Sequence, residues 1–428
     1  MREDGKAAVL SEDVRIVNRQ EDSLFHNIAN GAWCRISRHA ADFFAKEGGV
    51  DLAHEAARIG NGDAVGMLRL AAELADTGML IPRGARADGP EPSVGKAYLI
   101  ATRRCNLGCP QCYMGEPGAV DYPLSEVLQA VESILKLKPA KTYITGGEPC
   151  MRPDLGEIIR AFNGSKLVLC TNGTMPDRLP YALLKDAGVR LQVSLESCSE
   201  AAHDSIRGGG NHKLASETTR RAASYGIEVE VVPTIAPGTE IVIEEMLNFA
   251  GSLGAGCHGS LMVSAGRARN ERHRDESQLL ESICGYLSKC VEKGEIEESW
   301  NLEDIVPMLS RSTCGAGSRI IAFTGDGAIH PCHLLWDRPI DQEVLRRNVD
   351  SGSTCSSCDV RYLCGGGCYA AARLNGGLDP NCGLYKAVYG AFAWKWDDSL
   401  TVSENIRIIG GDCDEMADSG AMCVQTCS

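Results

Sequence analysis

Two groups of cysteines carry the clearest chemical signal in this chain of 428 residues. The first is 104-RCNLGCPQCYM-114, which sets Cys105, Cys109 and Cys112 on one short segment in a CxxxCxxC spacing. Three thiolates on one loop can ligate three irons of a cubane cluster and leave the fourth iron open to an exogenous ligand. Tetrahedral zinc would want a fourth residue close by, and the segment offers none. The second group begins at Cys314 and continues through Gly327 and Cys332 to 355-CSSCDVRYLCGGGC-368 and Cys382. A zinc ribbon predicts two CxxC pairs. Here one CxxC and one CxxxC stand among three outlying cysteines, which favours iron and sulfide over zinc.

The remaining composition narrows the setting. The N-terminus, MREDGKAAVLSEDVRIV, lacks the apolar stretch of a signal peptide, so the 20 cysteines are expected in a reducing cytoplasm, where short spacings mean metal or redox chemistry rather than disulfides. No run approaches the roughly 20 apolar residues of a membrane span. A formal charge of −14 argues against a nucleic-acid surface. The local basic stretch 267-RARNERHR-274 reads as a solvated loop.

Around the cysteines, the apolar pattern divides the chain into segments. Residues 1–84 read as a small module: strands over 14–28 and 32–37 about the turn 29-ANG-31, then helices at 40–48, 51–60 and 63–78, a winged-helix-like arrangement. The Gly- and Pro-rich residues 85–95 read as a linker. Over 96–300, short apolar runs alternate with helical ones: strands at 97–102, 141–145, 166–170, 190–195, 228–235 and 259–265, with helices at 125–137, 154–162, 180–188, 213–226, 244–254 and 277–294. Six such units predict an α/β fold, an open partial (β/α)6 barrel. A cysteine-rich iron–sulfur domain is expected over 301–400 and a tail with Cys413, Cys423 and Cys427 over 401–428. Polar and glycine-rich clusters fall at the C-terminal ends of the strands: 145-TGGEP-149, 171-TNGT-174, Ser194 with Glu196, and Thr234. Gathered on one rim, they define a pocket on the face where such barrels do chemistry.

Across residues 96 to 300 the chain resembles the radical SAM superfamily. The resemblance rests on Cys105, Cys109 and Cys112, with Tyr113 in the aromatic position after them, and on Gly146, Gly147 and Glu148 of the GGEP segment. It implies that the three cysteines hold a [4Fe-4S] cluster whose open iron binds S-adenosylmethionine, and that the backbone of Gly146 and Gly147 receives the methionine amino group, a side chain there being in the way. It also implies that Asn172, Ser194 and Arg207 contact the ribose or the carboxylate, Arg207 as a fork. Glu196 departs from the family's shorter aspartate, which puts its ribose contact in doubt. The second cysteine group resembles the SPASM extension of that superfamily, which implies two auxiliary [4Fe-4S] clusters, one on Cys355, Cys358, Cys364 and Cys382, the other on Cys314, Cys332 and Cys368. The latter has three ligands, and a tail cysteine or a substrate thiolate could complete it. The stretches 23–44 and 75–80 resemble the PqqD-like element that recognises the leader of a ribosomally made peptide.

The expected function is a peptide maturase that forms a cysteine thioether, with a precursor peptide and an electron donor such as flavodoxin or ferredoxin as partners and no nucleic acid or membrane. The other enzyme readings are carbon–carbon crosslinking, epimerisation through a hydrogen-donating thiol among Cys150, Cys170, Cys198 and Cys257, and sulfatase-type protein maturation. A non-catalytic zinc-bound peptide-binding protein is the alternative of a different class. No residue of the chain is singled out as catalytic, since the cofactor carries the hard chemistry.

Overall fold

The computed structural model describes residues 7–85, 94–235, 243–268, 276–294, 296–299, 314–340, 349–350 and 354–418. At its centre the short apolar runs of the sequence form one eight-stranded sheet. From the expected barrel region come β6 (Lys96–Thr102), β7 (Lys141–Gly146), β8 (Leu167–Thr171), β9 (Arg190–Val193), β10 (Val229–Val231) and β12 (Gly256–Cys257). They lie side by side, parallel, in the order β12-β10-β9-β8-β7-β6. Two further strands, β14 (Ile320–Thr324) and β15 (Ile329–His330), extend the sheet beyond β6, β14 parallel to β6 and β15 antiparallel to β14. The apolar run 320-IIAFT-324 sits inside the cysteine-rich segment, and it makes that segment part of the barrel wall.

Helices cover the outer face because their apolar residues repeat every three or four positions. In α4 (Leu124–Lys136) the buried stripe is Val127, Ala130, Val131 and Ile134. This helix packs with α5 (Leu155–Ala161), α6 (Tyr181–Asp186), α8 (Asn211–Ser224) and α9 (Ile243–Ser252) over alternate strand residues such as Leu99, Ile144, Leu169, Leu191 and Val231. The intervening residues Tyr98, Thr145, Cys170, Gln192 and Glu230 therefore face the barrel interior.

The structure departs from the sequence pattern in a few places. The fifth run, 228–235, is two strands: Pro233, which has no N–H to donate, separates β10 from β11 (Thr234–Ile235). Of the sixth run, 259–265, only β13 (Ser260–Leu261) is strand, paired with β11, and the strand that joins the main sheet, β12, lies before it. Helix α7 (Glu200–Arg207), capped by Ser199 Oγ, lies in the stretch left as loop.

In the N-terminal module the run 14–28 is a hairpin of β2 (Val14–Arg19) and β3 (Asp22–Asn27), with Gln20 turning at φ 49°. With β4 (Trp33–Ser37) it makes a three-stranded sheet in the order β2-β3-β4. Helices α1 (Arg38–Phe44), α2 (Leu52–Arg58) and α3 (Asn61–Asp76) follow, and β1 (Ala8–Leu10) pairs with β5 (Leu80–Pro82). One face of this sheet, through Phe25 and Ile36, packs on the module's own helices. The other, through Val17 and Leu24, joins a core formed with α10 (Glu276–Glu292), α11 (Arg361–Cys364), α12 (Cys382–Lys395) and α13 (Val402–Asp418). Arg35 reinforces the contact by donating to the Ala393 and Trp396 carbonyls, and Arg19 by pairing with Asp359 at 3.4 Å. Among the described residues, no helix is long and apolar enough to cross a membrane.

Candidate active site

The loop that follows β6 carries Cys105, Cys109 and Cys112, and β7 holds its start. The Gly147 N–H donates to the Thr102 carbonyl at 2.8 Å and the Glu148 N–H to that of Arg104 at 2.7 Å. The approach is so close that a Cβ at Gly146 would stand 2.2 Å from the Thr102 oxygen, and one at Gly147 2.1 Å from the Arg104 oxygen. The two glycines are therefore required by the backbone of the thiol loop itself, a nearer cause than the passage of a ligand.

The ends of the next strands close around the same loop. Glu148 is fully buried and accepts from the Asn172 N–H at 2.7 Å, the Cys150 N–H at 3.0 Å and the Thr171 hydroxyl at 2.7 Å, so it ties β7 to β8. Burial pushes its carboxyl up against these bonds. The Asn172 side chain donates to Asn106 in the thiol loop at 2.9 Å, and its Nδ2 lies 3.9 Å from Cys105 Sγ. Ser194, half-buried, donates its N–H to the Thr171 carbonyl at 3.0 Å. Tyr113 points inward, hydrogen-bonded to Thr145 and edge-on to His333 with ring centroids 5.3 Å apart.

Glu196 and Arg207 form a buried pair. The Glu196 carboxylate, fully buried, meets Arg207 Nε at 2.6 Å and Nη2 at 2.5 Å, and it also accepts from the Thr234 N–H at 2.7 Å and Gln111 at 3.2 Å. The fork expected to face a ligand carboxylate is thus turned onto Glu196, with Nη1 lying 4.0 Å from Cys109 Sγ. The longer glutamate reaches a position that ties the thiol loop, the end of β9 and β11 together. Burial opposes the charge on Arg207, and Glu196 outweighs it and raises the pKa.

Burial pushes the Cys105 and Cys109 thiols up, and the neighbouring thiols of the loop add to the shift. Farther along, the cysteines sort in space into two sets. Cys368 and Cys332 lie within electrostatic reach of Cys314, Cys368 also of Cys332, and burial first, then these neighbours, push Cys332 up to about 11 and Cys368 up to about 12. Cys364 is pushed up to about 12 by burial and the nearness of Cys382, and Cys382 to about 11 by burial, Cys358 and Cys355. Cys355, Cys358, Cys364 and Cys382 line one cavity of about 60 Å³. Between the sets, Gly365, Gly366 and Gly367 all have positive φ, 63°, 80° and 68°, a turn that directs Cys368 away from Cys364.

A metal displaces the protons of grouped thiols, and all-sulfur sets such as these are the donor chemistry of iron–sulfur clusters. No disulfide joins the described cysteines, and among the described residues no three His, Cys, Asp or Glu side chains close into a shell for a metal ion.

Three residues that the sequence did not single out as part of the site help to hold these sets. Asp379, buried, accepts the Cys368 and Asn381 N–H groups and so links the two downstream sets. Arg103, just before the thiol loop, lies over the Trp336 ring at 4.6 Å. Arg267 is no solvated base: its guanidinium reaches the carbonyls of Cys109 and Gly115. The rest of the basic stretch, from 269 to 274, lies outside the described residues, as do Cys423 and Cys427. Of the four cysteines near the barrel, Cys150 sits in the outer core and Cys198 and Cys257 pack against it, while Cys170 faces inward, 3.4 Å from Gln192.

The strand-end rim, the three-thiol loop and the parallel sheet define a radical SAM domain, and residues 99–250 match the Radical SAM superfamily. Over these residues the chain carries a radical SAM domain, and members of that family are enzymes that use S-adenosylmethionine and an iron–sulfur cluster as cofactors. Among relatives, a probable GTP 3′,8-cyclase of Methanococcus aeolicus is 26% identical over 275 residues, 60% of this chain and 91% of the relative. The antilisterial bacteriocin subtilosin biosynthesis protein AlbA of Bacillus subtilis is 29% identical over 252 residues, 56% of this chain and 55% of AlbA, about half that protein's length. Streptococcus suis SuiB, solved bound to its precursor peptide SuiA, has the same fold with a TM-score of 0.54 at 14% identity, over 87% of this chain and 98% of SuiB.

Proposed function

We propose that this enzyme modifies a ribosomally made precursor peptide, forming a thioether between a cysteine sulfur and a carbon of the same peptide. The observation that carries the reading is the sorting of the downstream cysteines into a four-thiol set and a three-thiol set beside the barrel. The likeness to AlbA and SuiB, whose names tie them to a bacteriocin and to a precursor peptide, supports a peptide substrate.

In this reading Cys105, Cys109 and Cys112 hold the cluster that binds S-adenosylmethionine, beneath a rim made by Tyr113, Gly146, Gly147, Glu148, Asn172, Ser194, Glu196 and Arg207. When bound, the reduced cluster and S-adenosylmethionine supply a 5′-deoxyadenosyl radical able to take hydrogen from an unactivated carbon. Asn172, Glu196 and Arg207 hold the thiol loop, and the interior wall of Tyr98, Tyr143 and Tyr113 excludes water from the reacting carbon. Cys355, Cys358, Cys364 and Cys382 hold one auxiliary [4Fe-4S] cluster. Cys314, Cys332 and Cys368 hold another, with a position left for a substrate thiolate. Residues 1–84 form the PqqD-like module, 85–95 the linker, 96–300 the barrel, 301–400 the auxiliary domain and 401–428 the tail. The leader adds to an edge of the β2-β3-β4 sheet, whose backbone groups favour an extended peptide. A cytoplasmic flavodoxin or ferredoxin delivers the electrons.

Epimerisation is the second reading, favoured by one observation: Cys170 alone of the four barrel cysteines faces the interior, and burial first, then Glu148, push its thiol up to about 12, which keeps its hydrogen in place. The test is mass spectrometry of the short peptide encoded beside the gene after incubation with reduced, iron-loaded enzyme and S-adenosylmethionine. Loss of two hydrogens together with one alkylatable thiol supports the thioether. Deuterium uptake from heavy water without change of bond count supports epimerisation, and an unchanged peptide refutes both.

A further inference from the structure

The thiol loop is held from the opposite side by a segment the sequence reading set aside. In the short helical turn Gly266–Ala268, beyond β13, the Arg267 guanidinium donates from Nε to the Cys109 carbonyl at 2.8 Å and from Nη1 to the Gly115 carbonyl at 2.6 Å. Its backbone N–H donates to the Cys112 carbonyl at 3.0 Å. The preceding residue is packed so tightly that a Cβ at Gly266 would stand 2.4 Å from the Cys112 oxygen and 2.5 Å from the Tyr113 oxygen. One dipeptide thus engages the carbonyls of two of the three cysteines and of a third residue beyond them. The Arg267 side chain is 18% exposed, and its carboxylate neighbour, Glu116, lies 3.8 Å away and is 85% exposed. An ion pair that open to water contributes little, so the carbonyls are the guanidinium's principal partners.

We propose that Gly266–Arg267 is a clasp that fixes the thiol loop across the mouth of the barrel, with Arg267 the positioning residue for Cys109 and Cys112. The proposal rests on the reading that this loop holds the cluster. The planar fork is what the geometry uses, because two donors at fixed spacing reach two carbonyls six residues apart. A lysine ammonium keeps the charge and cannot span them. Arg267 differs in this from Arg207, whose fork is neutralised by the buried Glu196.

The test compares wild type, Arg267→Lys, Arg267→Ala and Cys105→Ala/Cys109→Ala/Cys112→Ala, each reconstituted without oxygen, for iron and sulfide per chain and for the electron paramagnetic resonance of the reduced protein with and without S-adenosylmethionine. The clasp predicts that Arg267→Ala loses about four irons, one cubane, while keeping the auxiliary iron that reports a folded chain. It also predicts that Arg267→Lys fails to restore the wild-type spectrum or its response to S-adenosylmethionine. Full iron and a wild-type spectrum in Arg267→Ala, or full rescue by lysine, overturn the clasp alone. A triple cysteine variant that keeps all the iron of the wild type overturns the reading beneath it.

Discussion

Replacing Gly147 by alanine tests whether β7 and the thiol loop are one unit. The new Cβ would lie 2.1 Å from the Arg104 oxygen, 2.6 Å from its carbonyl carbon and 2.9 Å from the Arg103 oxygen, all backbone atoms. Reaching even 3.0 Å demands a separation of about 1 Å (3.0 − 2.1), which breaks or stretches the Gly147–Thr102 and Glu148–Arg104 hydrogen bonds. Overpacking costs roughly 1–3 kcal/mol and each hydrogen bond roughly 0.5–1.5 kcal/mol, giving a central loss of about 4 kcal/mol. For a unit of this size each kcal/mol lowers Tm by about 2–4 °C, so a fall of about 8–16 °C is expected. Cys105 is the next residue after Arg104, so the site of the first cluster is expected to lose its iron as well. The control is Gly108→Ala in the same loop, where a Cβ meets nothing within 4 Å and both readouts should stay at wild type. Thermal unfolding and iron analysis of the two variants decide the matter. A Gly147→Ala protein with wild-type Tm and iron refutes the reasoning.

Two other perturbations probe the supports of the site. Glu196→Ala leaves the Arg207 guanidinium buried without its partner and should cost about 3–5 kcal/mol by urea unfolding, with Glu196→Gln milder; an Ala variant of unchanged stability contradicts the buried pair. His26, buried at the junction of the module and Tyr362 with neither ring nitrogen hydrogen-bonded among the described residues, has its pKa lowered to about 4 by burial. The native state therefore holds it neutral while the unfolded chain takes up a proton near 6.5, so stability is full above about pH 6.5 and declines as pH falls toward 4. His203 and His333 are also lowered to about 4, chiefly by burial, and share that slope. His26→Phe should flatten part of it in unfolding curves taken at about pH 7 and about pH 5, and an unchanged slope would show that His26 is already hydrated.

Much of the barrel was legible because short apolar runs such as 97-AYLIAT-102 and helical stripes such as that of α4 depend on local sequence alone. The same holds for the cysteine loop and the glycines after β7. What escaped depends on contacts between distant residues. Nothing in 320-IIAFT-324 says that it pairs with β6, since a parallel partner is chosen by topology. Gly146 and Gly147 were legible as special positions, but the carbonyls they make room for belong to the end of β6 and the loop that follows it. Arg267 looked like one base among several, and only the fold brings it to Cys109. The Glu196 departure was legible as a longer carboxylate, and its meaning appears in the bond to Arg207.

The central claim is that Cys105, Cys109 and Cys112 form the site at which S-adenosylmethionine is cleaved. The direct measurement is anaerobic quantification of 5′-deoxyadenosine and methionine from S-adenosylmethionine after reduction, for the wild type and for a variant with those three cysteines changed to alanine. The account predicts equal amounts of both products from brown wild-type protein carrying about twelve irons, and none from the variant, which keeps about eight irons. Cleavage that persists in the variant, or a colourless wild type carrying zinc, contradicts it.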